Sequence, residues 1–167
     1  KPEYETIGAF GTMCMCDDLE AIIKLNDMCN RSGLDTISAG TALAFAMECF
    51  ENGIISESDT DGLALTWGNA EAMIAMTDKM IAREGFGDIL ADGVKIAAQK
   101  IGSGAEEFAM HVGGQEPGLH NALFLPSRGT GFVCDPTPGR HTAAPMAAID
   151  GGAKQFAPYS ELKIGKF

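Results

Sequence analysis

Between residues 17 and 102 the chain repeats one pattern: a polar cap, an apolar stripe at spacings of three and four, and a glycine that stops it. Asp17 and Asp18 lead a first stripe over residues 19–29, with Leu19, Ile22, Ile23 and Asn26 on one face. Asn30 closes that helix and Gly33 supplies the positive φ that ends it. Asp35 or Thr36 then caps a second helix over 36–52, with Ala42, Leu43, Ala46, Met47 and Phe50 on its apolar side and Gly53 as its stop. A third runs over 70–83 with Met73, Ile74, Thr77, Met80 and Ile81 in a stripe that reads as core filler. After Gly85-Phe86-Gly87, Asp88 caps a fourth over 89–100, with Leu90, Val94, Ile96 and Ala97 inward and Gly102 at its end. The expected fold class is mostly all-α and multihelical.

The corner from Asn30 to Gly40 sets small polar groups and a glycine between two long helices. Unpaired N–H groups at such a positive helix end suit a phosphate or a polar heterocycle, although an ordinary helix–helix corner has the same chemistry.

A length of 167 residues allows one domain with a real core or two small lobes. The hydrophobic share of 46% includes no apolar run of about eighteen residues, so no membrane-spanning segment is expected. A formal charge of −11 excludes nucleic acid as a natural partner, because phosphate binding needs clustered Lys and Arg. Five cysteines, at 14, 16, 29, 49 and 134, form no C-x-x-C pair and read as reduced cytoplasmic thiols rather than metal ligands. Lys1-Pro2-Glu3-Tyr4 carries no leader, which fits a processed chain or an excised piece.

Residues 1–16 read as a loop with one turn of helix, in which Glu3 and Glu5 would point to opposite faces if extended. Asp59-Thr60-Asp61-Gly62 resembles half of a calcium loop, lacks the later glutamate, and reads as a turn. Phe108 to Val112 is a short strand or connector. From 113 to 140 Gly, Pro and His crowd into loops that hold His120 and approach His141, and a helix is expected over 143–156. His141, between Arg140 and Thr142, is well placed for proton transfer or for a structural hydrogen bond.

Pro2-Glu3-Tyr4-Glu5-Thr6, Asp17-Asp18-Leu19-Glu20-Ala21, Cys29 through Ser38, Phe45-Ala46-Met47-Glu48, Trp67-Gly68-Asn69, Ala82-Arg83-Glu84-Gly85 and His111-Val112-x-Gly114-x-Glu116, taken in that order, resemble the aldehyde ferredoxin oxidoreductase family. The resemblance implies the helical domains 2 and 3 of a larger enzyme that holds a tungsten, sometimes molybdenum, bis-pterin and one [4Fe-4S] cluster. It implies a helical domain over 1–112 carrying the first pterin motif, then Gly/Pro-rich loops and the start of the next lobe over 113–167. The family's D-x-x-G-L-D motif falls on Asn30, Gly33, Leu34 and Asp35, with Asn30 in place of the usual Asp. By the same resemblance Glu5 and His141 lie near the metal and handle protons while an aldehyde is oxidised to an acid with ferredoxin as acceptor. The loop Asp135-Pro136-Thr137-Pro138-Gly139-Arg140-His141 differs from the R-G-A-D-H of aldehyde oxidisers, which leaves the substrate open. The cluster's C-x-x-C-x-x-x-C run and the second D-x-x-G-L-C motif are not in these residues, so no cysteine here inherits a ligand role, and the piece alone is expected to hold no cofactor and to be inactive. Two other readings are a helical scaffold without redox centres and a subunit of a CoA-thioester reductase. A homo-oligomer is compatible with all three.

Overall fold

The computed structural model describes residues 1–137, 139 and 140. Its helices are α1 (Tyr4–Ile7), α2 (Leu19–Ser32), α3 (Thr36–Glu51), α4 (Ala70–Ala82), α5 (Phe86–Leu90), α6 (Val94–Ile101) and α7 (Pro126–Cys134). A π turn over Gly8–Met13 continues α1, and a 3₁₀ turn covers Ala105–Glu107. Among the described residues there is no strand, and the β pairing is one isolated antiparallel bridge between Val112 and Gln115. The chain divides into two compact units, Lys1–Leu119 with α1 to α6 and a second that begins at His120 and holds α7.

Caps fix the helix starts. Asp18 accepts the Ala21 N–H at 3.0 Å, Asp35 that of Ser38 at 2.8 Å, and Asn69 that of Ala72 at 3.2 Å. Gly33, with φ 73°, ends α2, and its N–H and that of Leu34 both return to the Cys29 carbonyl. The helix therefore passes Asn30 and closes two residues later than expected.

In the first unit α3 is the central element. Ile37, then every residue from Ala39 to Met47, and Cys49 are buried, and α1, the π turn, α2, α4 and α6 all pack on it. A helix apolar all round can be satisfied only by neighbours on every side. The close approach of the π turn has a local cause: a Cβ on Gly40 would stand 2.6 Å from the Ala9 Cβ. Cys14 Sγ sits against the same seam, donating to the Ala9 carbonyl at 3.3 Å and the Gly40 carbonyl at 3.6 Å. Burial, reinforced by Cys16, pushes the Cys14 thiol up to about 12.

On α4, Met73, Met76 and Met80 are buried and Thr77 returns its hydroxyl to the Met73 carbonyl, so the methionine stripe is core. Each buried methionine side chain contributes about 1.5–3 kcal/mol of transfer free energy. The Asp59 to Gly62 segment is a turn, in which Asp59 accepts the Ser56 N–H and hydroxyl, while Asp61 accepts the Phe86 N–H at 2.9 Å and so caps α5.

The structure corrects four expectations. On α2 the buried row is Ala21, Ile22, Leu25 and Cys29, whereas Leu19 and Ile23 are 57% and 47% exposed, because α4 packs on the row that carries the small Ala21 and Cys29. The expected fourth helix is two, α5 and α6, since Gly93 adopts φ 84° and ψ 165°, which no helix accepts; Ile96 lies at the surface. Residues 4–13 are helical, so Glu3 and Glu5 are not on an extended strand: Glu3 caps α1 by accepting the Glu5 N–H, and Glu5 turns into the core. Residues 126–134, expected as loop, form α7 with Pro126 at its first turn, where a missing N–H costs nothing. The helix expected over 143–156 lies outside the described residues.

Candidate functional site

The corner between α2 and α3 presents three of its four motif residues at the surface. Asn30 and Gly33 are exposed on the last turn of α2, and Asp35 is exposed at the start of α3 with Leu34 half-buried between them. Asn30 Nδ2 donates to the Asn26 carbonyl at 2.7 Å, along its own helix. A Cβ on Gly33 would meet nothing within 4 Å, so the glycine serves the left-handed turn and not a close contact. Asp35 places its charge on the positive end of α3, where its Oδ2 holds the Ser38 N–H.

Beside the corner lies a recess of about 50 Å³, lined by Leu34, Asp35, Ser38 and Ala39 on one side and Met80, Leu90, Ala91 and Gly93 on the other. The second wall is the break between α5 and α6. From inside it is held by Glu116, 4% exposed, whose Oε1 accepts the Val94 N–H at 2.8 Å and so caps α6 from 22 residues away. From outside it is held by Asp92, which takes Arg83 at 2.7 Å and Lys100 at 2.9 Å; these bonds, Arg83 first, bring its carboxyl down to about 2. Arg83 reaches Asp92 from a left-handed position at the end of α4, with φ 53°.

Glu5, 1% exposed, accepts the Tyr4 hydroxyl at 3.0 Å on Oε1. Its neighbour Thr6 pairs hydroxyl to hydroxyl with Thr36, the first residue of α3, at 2.8 Å. Through this pair the buried carboxylate on α1 is tied to the same helix start that Asp35 caps, thirty residues along the chain. Leu119 closes the other side of α1, since a Cβ on Gly8 would meet its Cδ1 at 2.9 Å.

Thr6, the neighbour of Glu5, thus meets the start of α3 next to Asp35, and His141 lies outside the described residues. Thr6 and Glu116 were read only as members of the family motifs and Thr36 only as a cap, and Gly93 was not singled out from sequence. Gly93, a glycine inside a helical pattern, carried a usable signal of its own; the Thr6–Thr36 and Glu116–Val94 pairings become visible only in the fold. Among the described residues no group of three or more His, Cys, Asp or Glu could hold a metal, and no helix is long and apolar enough to cross a membrane.

Residues 1–166 match the family described as aldehyde ferredoxin oxidoreductase, domains 2 and 3. The chain is 38% identical over 141 residues to the tungsten-containing aldehyde ferredoxin oxidoreductase of Pyrococcus furiosus, covering 84% of this chain and 23% of that protein. It is 35% identical over 123 residues to an aliphatic sulfonate oxidoreductase, WOR-like subunit, of the same organism, covering 71% and 20%. A solved structure, the active-site complex BamBC of benzoyl coenzyme A reductase in complex with 1,5-dienoyl-CoA, superposes with a TM-score of 0.65 at 31% identity, over 80% of this chain and 20% of that one. The chain belongs to the aldehyde ferredoxin oxidoreductase family and is built as its helical domains. It spans about a quarter of the length of the curated aldehyde oxidoreductase it matches.

The residues present fit one edge of a pterin. The recess is about 50 Å³, so it admits the edge of a larger group and not a ring system. The polar groups of the corner suit that edge: the exposed Asn30 amide and the exposed Asp35 carboxylate at the start of a sixteen-residue helix.

Proposed function

We propose that the full-length protein is a tungsten pterin, iron–sulfur oxidoreductase of the cytoplasm that oxidises aldehydes to carboxylic acids and passes the electrons to ferredoxin. The observation that carries this reading is the buried Glu5 carboxylate tied by Thr6 and Thr36 to the helix start that bears the pterin motif. The reaction takes R–CHO and water to R–COOH, two protons and two electrons. The tungsten pterin, when bound, supplies the two-electron and oxygen-transfer chemistry.

What this chain contributes is positioning and proton handling. Asn30, Gly33, Leu34 and Asp35 hold one pterin edge, with Gly33 and Leu34 shaping the bend. Glu5, a buried carboxylate, is assigned to accept a proton from the reacting centre. His141 is assigned to relay a proton outward on the strength of its sequence setting. Residues 1–112 form the pterin-bearing domain in this reading and 113–167 lead into the next lobe.

Purified full-length protein should contain tungsten and reduce ferredoxin or a viologen dye when given an aldehyde. Glu5→Gln and His141→Asn should each lower turnover about a hundredfold or more while leaving metal content intact. Tungsten-free protein, or full turnover in both variants, would sink the assignment.

The likeness to the benzoyl coenzyme A reductase complex favours a second reading, a subunit acting on CoA thioesters. Reduction of an acyl-CoA with no response to any aldehyde would establish it.

A further inference from the structure

We infer that Glu116 is a positioning residue for the pterin half-site, because it fixes the wall of the recess that faces the D-x-x-G-L-D corner. The inference rests on the pterin reading of that corner. Two observations meet here. The recess beside Asp35 has the turn from Leu90 to Gly93 as its far wall, and that turn carries no side-chain cap of its own for α6. Its place is set by the buried Glu116, whose Oε1 takes the Val94 N–H at 2.8 Å and would lie 2.7 Å from a Cβ on Gly93. Glycine at 93 is therefore required twice, by its φ of 84° and by the carboxylate lying against it.

A carboxylate is the stronger acceptor for a buried N–H at a helix start, since its charge also meets the positive helix end. Loss of that anchor frees the turn to move toward or away from Asp35. A pterin edge seated between the walls would lose its fit on the side opposite the motif. Glu116 touches neither pterin nor substrate in this scheme, so its removal acts on cofactor retention before it acts on chemistry.

The test uses the full-length holoenzyme and follows pterin release by fluorescence of the freed, oxidised pterin under mild denaturant, below the unfolding midpoint. Glu116→Ala should release pterin about tenfold faster than wild type, the usual size of losing a group that holds a ligand rather than being one. Glu116→Gln keeps an acceptor oxygen at the same reach and should release at close to the wild-type rate. Glu116→Asp keeps the charge, falls one methylene short of Val94, and should release faster. If Glu116→Ala does not fold, the Gln and Asp pair decides. Release rates for Ala and Asp equal to wild type would overturn the inference while leaving the pterin reading standing. Wild-type protein that purifies without pterin would remove the reading, and the inference with it.

Discussion

Two corners face each other across one small recess and are built in opposite ways. The α2–α3 corner is self-contained: Gly33 ends one helix, Asp35 caps the next three residues before the N–H it holds, and open space surrounds the turn. The α5–α6 corner borrows everything. Its cap is Glu116 from 22 residues downstream, and its outer brace is Asp92 between Arg83 and Lys100. The first resembles an independent module that can evolve with its ligand; the second is a scaffold whose position is decided by the rest of the unit. In the proposed half-site the first wall would read the ligand and the second would stay fixed.

Substitutions can break or sharpen this contrast. The largest effect should come from Gly93→Ala, which forces a glycine-only backbone and drives a methyl into Glu116; chemical denaturation should show a loss of about 3 kcal/mol. Glu116→Ala leaves the Val94 N–H buried without its acceptor and should cost about 2 kcal/mol, with Glu116→Gln recovering most of it in the same assay. At the other corner, Asp35→Ala should cost about 1 kcal/mol through the lost cap, while Asp35→Ser restores stability without restoring the charge offered to a pterin. Loss of cofactor in Asp35→Ser at wild-type stability would separate the two duties of this residue. Gly33→Ala, strained but unobstructed, should cost about 1 kcal/mol, less than Gly93→Ala. A larger loss at Gly33 than at Gly93 would erase the contrast.

The smallest effect is in pH. Asp92 has a carboxyl held below its ordinary value in the folded state, so the stability it contributes is present above about pH 4 and is lost as pH falls toward 2. Asp92→Asn should flatten that part of the stability profile. The Cys14 thiol has the opposite sign: raised to about 12, it contributes stability that is complete below pH 8 and falls as pH rises beyond 9, where the unfolded chain ionises first. Cys134, the exposed thiol among the described cysteines, should be alkylated well before Cys14.

Much of this was legible before any coordinates. Caps and stops at Asp18, Gly33, Asp35 and Gly102 act within a few residues, so local chemistry suffices to place α2, α3 and the end of α6. Faces were less legible: Leu19 and Ile23 fit a stripe as well as Leu25 does, and only the presence of α4 decides which row is buried. Glu5 could be singled out by family resemblance, but its burial depends on α1 being helical and on Thr36 reaching Thr6.

The amino-acid sequence by itself determined the helical class, the family and the α2–α3 corner at Asn30 to Asp35, because each rests on residues in sequence contact or on an ordered set of motifs. The tertiary structure alone decided the opposite wall of the recess, the central burial of α3 and the tie between α1 and the start of α3. The wall and the tie depend on groups 22 and 30 residues apart meeting at 2.8 Å, and the burial of α3 on helices packed around it, which spacing along the chain does not set.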